Sequence, residues 1–247
     1  MPVQRGGGVQ SQRPFVRHRS CPRFPPPASL CDTAGVDEGS RAGRFIVIEG
    51  GDGAGKSRLQ GALGEHLRAV GHDVALTREP GGTTLGEQVR EIVLARRALH
   101  APLAELLLFE AARAELVATV IRPALDRGAT LICDRFAASS VAYQGFGRGL
   151  GRDVVEGANA VATGGLAPDL TLLLDLPAEV GLARRAGAGG DNRFDREAIG
   201  FHERVRSAFL ELARESPSSW RIIDATQGFD AVLADAITAV DAVLASE

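Results

Sequence analysis

Lysine is nearly absent. Of the 28 basic side chains in this 247-residue chain, Lys56 is the only lysine; all the others are arginines. A GTPase base-recognition motif of the Asn-Lys-x-Asp type needs a second lysine, so that class is excluded. Apolar runs are short, and none approaches the roughly 20 residues that span a bilayer. Cysteine is scarce and odd in number, and Cys21, Cys31 and Cys133 lack metal-type spacing. They read as free thiols in a reducing compartment, which points to the cytoplasm. The five histidines are scattered, so a metal site built from them is not expected. Charge of one sign is missing too: a net charge of −3 gives no hint of a broad nucleic-acid or membrane surface. Neither kind of partner is expected.

What is present is ordinary for a globular protein, with 45% hydrophobic and 24% charged residues. The length suits one α/β domain of about 200 residues with some chain to spare. The spare part is residues 1–43, rich in Arg, Pro, Gly and Ser, with Pro25-Pro26-Pro27 and almost no apolar periodicity. Such a segment cannot bury enough surface to offset its ordering entropy. It also lacks the apolar stretch of a secretory signal. It reads as a disordered tail, as a start site assigned too far upstream would give.

The informative stretch begins at Arg44. Phe45 to Ile48 is a short β-branched run that reads as a buried parallel strand. Gly50-Gly51-Asp52-Gly53-Ala54-Gly55-Lys56-Ser57 follows, running into the helical spacing Leu59, Leu63, Leu67, Val70. Strand, glycine loop and helix are the context a phosphate-binding P-loop requires. The glycines let backbone N–H groups turn onto a polyphosphate, and the helix N-terminus adds favourable partial charge. Lys56 is then expected at the β- and γ-phosphates and the Ser57 hydroxyl on Mg²⁺.

Further along, strands and helices alternate. Asp73 to Leu76, Ala129 to Cys133, Leu170 to Leu174 and Arg221 to Ile223 read as four more strands. Helical spacing covers Leu85 to Leu94, a long segment 102–121, a start near Ser139, and Asp153 to Val161. It recurs over Val180 to Arg185, about Arg196 to Arg214, and Ala231 to Leu244. Five short apolar strands separated by helices predict an α/β fold of the P-loop NTPase type: a five-stranded parallel sheet covered on both faces. In such sheets ligands sit beyond the carboxyl ends of the strands. Polar clusters fall there: the P-loop, Thr77 to Thr83, Asp134-Arg135, Asp175 and Asp224. Asp134 is a candidate carboxylate on the Mg²⁺ side.

These segments together resemble bacterial thymidylate kinases, P-loop enzymes that phosphorylate dTMP with ATP. The resemblance is carried by Glu49 to Ser57, Thr77 to Thr83 (TREPGGT), Leu108 to Arg113 and Asp134 to Gly145 (DRFAASSVAYQG). Pro168 to Thr171 and Asp191 to Arg206 complete it, in the family's order over nearly all of 44–247. The resemblance implies ATP as donor, Mg²⁺ as cofactor, a homodimer and a short lid at about 184–196. It implies that Arg78 holds the acceptor phosphate, that Phe109 stacks on thymine and that Arg113 hydrogen-bonds the base. By spacing alone Phe109 reads as core. Arg135 would sit between donor and acceptor phosphates, and Tyr143 against the deoxyribose. Ser139 and Gln144 would line the base and sugar pocket, and Asp52 would face the sugar hydroxyl.

Two departures stand out. The loop interior, Gly51-Asp52-Gly53-Ala54, carries no basic residue, so the lid must supply the arginines. The lid itself is thin in them: Arg184, Arg185 and Arg193 are the candidates, with Arg184 expected at ATP and Arg193 favoured for catalysis beside Lys56, Arg135 and Asp52. The alternatives are a kinase for another nucleoside monophosphate, an ATPase switch, or a nucleotide-binding protein that has lost catalysis.

Overall fold

The computed structural model describes residues 43–95, 101–187 and 192–245. The expected tail, apart from Gly43, lies outside the described residues, as do Cys21, Cys31 and most of the glycine-rich break after Gly187.

The strands are β1 Phe45–Gly50, β2 Val74–Arg78, β3 Thr130–Asp134, β4 Leu170–Asp175 and β5 Trp220–Asp224. They form one all-parallel sheet in the order β2-β3-β1-β4-β5. Each strand lies within two residues of its sequence expectation, and the apolar runs of β1, β3 and β4 are those of strands buried on both faces.

Alternation along the strands sorts the core. Phe45 and Val47 of β1 pack with Leu131 and Cys133 in one cluster, while Ile46 and Ile48 pack with Ile132 in another. The second face is covered by α1 (Lys56–Ala69), through Leu59, Leu63 and Leu67, and by α9 (Phe229–Leu244), through Val232, Ala236 and Val240. The first face is covered by the long helical segment after Pro102. It is α3 (Pro102–Leu116), then a π-helical turn (Val117–Ile121), then α4 (Arg122–Asp126), so it runs five residues beyond its expected end. Pro123 does not stop it and sits where the π-helical turn passes into α4.

The remaining helices are α2 (Thr84–Leu94), α5 (Ala137–Ser140), α6 (Arg152–Thr163), α7 (Ala178–Gly187) and α8 (Ile199–Glu215). A π-helical segment, Val141–Gly147, continues α5. The helix expected near Ser139 therefore starts two residues earlier. The helix expected from about Arg196 starts at Ile199, because Asn192 takes the chain through a turn by accepting the N–H groups of Phe194 and Asp195.

The topology sets the site. From β1 the chain goes past β3 to β2 and returns to β3; it then crosses β1 to reach β4. The carboxyl end of β1 is the switch point, and a crevice opens there.

Candidate active site

The P-loop leaves β1 at Gly50 with φ 140° and enters α1 from Gly55 with φ 97°. Gly55 is a left-handed N-cap with no side-chain cap, and the first turn of α1 holds no acidic residue. The open N–H groups of that turn are thus available to an anion. Gly53, at φ 77°, lies so close to Gly181 of α7 that a Cβ would come within 2.1 Å of the Gly181 carbonyl oxygen. Lys56 is buried and its Nζ donates to the carbonyls of Gly50 (3.1 Å) and Gly51 (2.7 Å). Burial, with Arg135 nearby, lowers its pKa to about 8.

Directly across lies the turn after β3. Arg135 has φ 73°, the one positive value among the described non-glycine residues. Such strain persists only where the surroundings impose it. The surroundings here are Glu49 and the Arg135 contacts themselves. Glu49 is fully buried at the end of β1 and accepts from the Phe136 N–H (2.9 Å), the Ser139 N–H (3.1 Å) and the Ser139 hydroxyl (2.6 Å). Burial pushes its pKa up while Arg135 and these donors pull it back. Arg135 donates to Gly50 O (3.0 Å), Ser139 Oγ (3.2 Å), Asp52 (2.9 Å) and Tyr143 Oη (3.2 Å). Tyr143 in turn donates to Asp52 at 2.8 Å. Burial alone would raise the Asp52 pKa, but Arg135, Lys56 and the Tyr143 hydroxyl hold it below its ordinary value. The Tyr143 ring is fixed by edge contacts with Phe194, Phe201 and Phe209.

One cleft of about 410 Å³ gathers these groups, with Asp52, Gly53, Gly55, Lys56, Ser57 and Asp134 on one side. Arg78, Phe109, Arg113, Ser139, Tyr143 and Gln144 line the other, Arg135 stands between them, and Arg184 reaches the rim. The Ser57 hydroxyl donates to Asp134 at 2.5 Å, placing two hard oxygen donors side by side. Gly50, Gly51 and Ala54 stand behind the wall: Gly50 and Gly51 through carbonyls turned to Lys56, Ala54 as part of the core under the loop.

Arg193 is not among the residues brought together at the cleft. It is buried away from the cleft, donating to Val93 O (2.6 Å) and to Glu105. A guanidinium between apolar helices must be paired, and Glu105 supplies the charge. The lid arginines that line the cleft are Arg184, which also donates to Ala225 O (3.1 Å), and Arg185, paired with Asp195. Asp175 and Asp224 also turn away, Asp175 to Arg206 and Asp224 to Thr226.

Arg113 is more deeply embedded than a base-reading residue needs. Its N–H groups reach Glu79 (2.8 Å), Glu110 (2.6 Å), Asn159 (2.7 Å), Ser140 (3.1 Å) and Phe136 O (3.3 Å). Burial raises the Glu79 pKa to about 7, although Arg113 opposes it. Sequence reading missed Glu79, Glu105, Glu110 and Asn159. It also missed Arg90, which lines the cleft near Arg78 and donates to Pro80 O. The available signal was a charged residue on an apolar helix face, as at Glu105 beside Leu106.

Comparison with known proteins points to one family. The profile of the thymidylate kinase family matches residues 48–236. A thymidylate kinase of Deinococcus radiodurans is 49% identical over 198 residues, covering 80% of this chain and 96% of that protein. One from Pseudomonas putida is 50% identical, covering 82% and 95%. Among solved structures, the thymidylate kinase of Ehrlichia chaffeensis matches with a TM-score of 0.66 at 31% identity, over 80% of this chain and 98% of that one.

Proposed function

Because the chain belongs to the thymidylate kinase family, we propose that its cleft transfers the γ-phosphoryl group of ATP to dTMP through the residues described above. One observation carries the residue assignment: Arg135 bridges the phosphate loop, at Gly50 O and Asp52, to Tyr143 and Ser139 on the acceptor side.

The donor phosphates lie on the open N–H groups of the loop and α1, with Lys56 turning from its carbonyls to the β- and γ-oxygens. Arg78, half-exposed and held by Glu87, receives the acceptor phosphate, which suits a planar guanidinium fork. Arg135, positively charged and already fixed, spreads over the transferring group. Its preorganisation spares reorganisation at the moment of transfer. Asp52 and Tyr143 close the sugar end, and Phe109 faces the base. Arg184 sits where ATP enters. Ser57 and Asp134 fit Mg²⁺ by their oxygen chemistry; the ion would offset phosphate charge there.

Further parts of the reading concern assembly and place. A homodimer is supported by apolar side chains left exposed on adjoining helices: Leu85 and Ile92 of α2, Leu103 and Leu107 of α3, Val154 and Val161 of α6. Apolar side chains exposed together on packed helices are what an interaction surface requires. Sedimentation at micromolar concentration should give twice the chain mass; a single-chain mass would remove the dimer. The enzyme works in the cytoplasm on nucleotides, without nucleic acid or membrane. Among the described residues no helix is long and apolar enough to cross a bilayer. Residues 1–43 take no part in the reaction.

The test is ADP release by the full chain with Mg·ATP and dTMP, dUMP, UMP, dCMP or no acceptor. Release should depend on dTMP and exceed that with the other acceptors. Equal release without acceptor would mean an ATPase, and none at all would mean a binding protein.

A further inference from the structure

Glu105 has no role in the reaction as drawn so far, yet it is among the most enclosed charged groups in the molecule. It sits in the first turn of α3, is 1% exposed, and receives three side chains from elsewhere in the chain. Gln144 Nε2 donates to its Oε1 at 2.7 Å, Arg193 donates to its Oε2, and Arg148 approaches at 3.4 Å. Of these partners only Gln144 lines the cleft, at the end where Phe109, Arg113 and Ser140 also meet it.

A carboxylate can only accept hydrogen bonds, so it decides which way round a neighbouring carboxamide lies. With its NH₂ group drawn onto Glu105, Gln144 cannot also turn its oxygen to that carboxylate, and Gln144 lines the cleft, so the oxygen is left for a ligand there. An oxygen there suits a base edge that carries a hydrogen. Thymine and uracil carry one at N3; cytosine has a bare acceptor nitrogen in that place, which would face the amide oxygen lone pair to lone pair. Arg113 is poorly placed to make the same distinction, since every one of its N–H groups already has a protein acceptor.

We infer that Glu105 is a specificity-determining positioning residue: by fixing the Gln144 carboxamide, it makes the acceptor pocket select bases with an N3–H over cytosine. This rests on the acceptor-side assignment made above. Replacing Glu105 by glutamine should invert the arrangement. Arg193 holds the Oε2 position and demands an oxygen there, so the new NH₂ group falls on the Oε1 side and donates to Gln144. The Gln144 amide then flips and presents N–H to the cleft.

The experiment is the ratio of kcat/KM for dTMP to that for dCMP, in the unaltered protein, in Glu105→Gln and in Gln144→Met. A ratio does not depend on the fraction of active protein, so a purely structural loss would leave it unmoved. We expect it to fall at least tenfold in both variants, with dCMP gaining in absolute terms only in Glu105→Gln. An unchanged ratio in folded Glu105→Gln overturns the inference. If that variant does not fold, Glu105→Asp decides: it keeps a charge for Arg193 but draws the acceptor back from Gln144, so a fall supports the inference and an unchanged ratio overturns it. Failure of the unaltered protein to phosphorylate dTMP would instead strike the proposed function itself.

Discussion

The donor and acceptor halves of the cleft are made of different materials. The donor half is backbone: glycine carbonyls around Lys56, open N–H groups at the start of α1, and a loop pressed against Gly181. The acceptor half rests on buried side-chain charge: Arg113 with Glu79 and Glu110 at its wall and Arg193 with Glu105 behind it, while the Arg135–Asp52 pair joins the two halves. The contrast follows from the ligands. A triphosphate is a generic polyanion that aligned peptide dipoles can hold, whereas telling one nucleoside monophosphate from another needs particular donors and acceptors. Buried charge is costly unless fully paired, so the acceptor half is also where stability is most exposed.

The largest effect should come from breaking that pairing. Arg113→Met strands Glu79 and Glu110, each of which already has one oxygen without a partner. Removing one member of a buried ion pair costs about 3–5 kcal/mol. For a chain this long that is a fall in Tm of about 10 °C at neutral pH. The sign of the pH dependence is a sharper check. The folded-state pKa of Glu79, at about 7, lies above the ordinary 4.5. Its contribution to stability is therefore present below 4.5 and is lost as pH rises through 7. The deficit of Arg113→Met should shrink toward pH 5.5, where Glu79 takes up a proton. A deficit independent of pH, followed by thermal unfolding, would mean that lost packing and not stranded charge is the cause.

The donor half should break at backbone positions and spare the acceptor. Gly53→Ala places a methyl at φ 77° and 2.1 Å from the Gly181 carbonyl oxygen, so the loop or α7 must shift. We expect kcat/KM for ATP to fall about a hundredfold, with dTMP affinity by calorimetry within about threefold of the unaltered value. Gly51→Ala is the control: nothing lies within 4 Å of its added Cβ, and its activity should be nearly unchanged. Equal losses at the two positions would mean that glycine content, and not the contact with α7, is what the loop requires.

The same contrast explains what could be read from the sequence. A backbone site announces itself locally, because the glycines, Lys56 and Ser57 stand within eight residues and the strand before them is a plain apolar run. The sheet was legible for the same reason. A side-chain network does not announce itself, since Arg113 meets Glu79 and Asn159 across separations of 34 and 46 residues. Glu105 and Arg193 are 88 apart. Resemblance supplied Arg78, Phe109, Arg113 and Tyr143, but gave no sign that Arg193 would turn inward. An arginine in a glycine-rich segment looks free until the carboxylate that claims it is seen on another helix.

The smallest effect, and the one that joins the halves, is the titration of Lys56. Its pKa of about 8 results from burial and from Arg135, two features that bring the acceptor half close to the donor loop. Since kcat/KM reports ionisations of the free enzyme, kcat/KM for ATP should fall above pH 8 with a single ionisation. Bound triphosphate restores charge around the ammonium, so the same limb in kcat should lie at higher pH. Among the other groups at the site, burial pushes Tyr143 well above its ordinary range and the arginines stay charged, while Glu79, at about 7, gives a separate step that Lys56→Arg should keep. Lys56→Arg, however weak its activity, should lose the limb altogether, because its guanidinium does not titrate there. A limb at pH 10 or above in the unaltered enzyme would mean that Lys56 is hydrated in solution. In that case the donor loop would stand apart from Arg135, and the two halves would be coupled only through the nucleotides they hold.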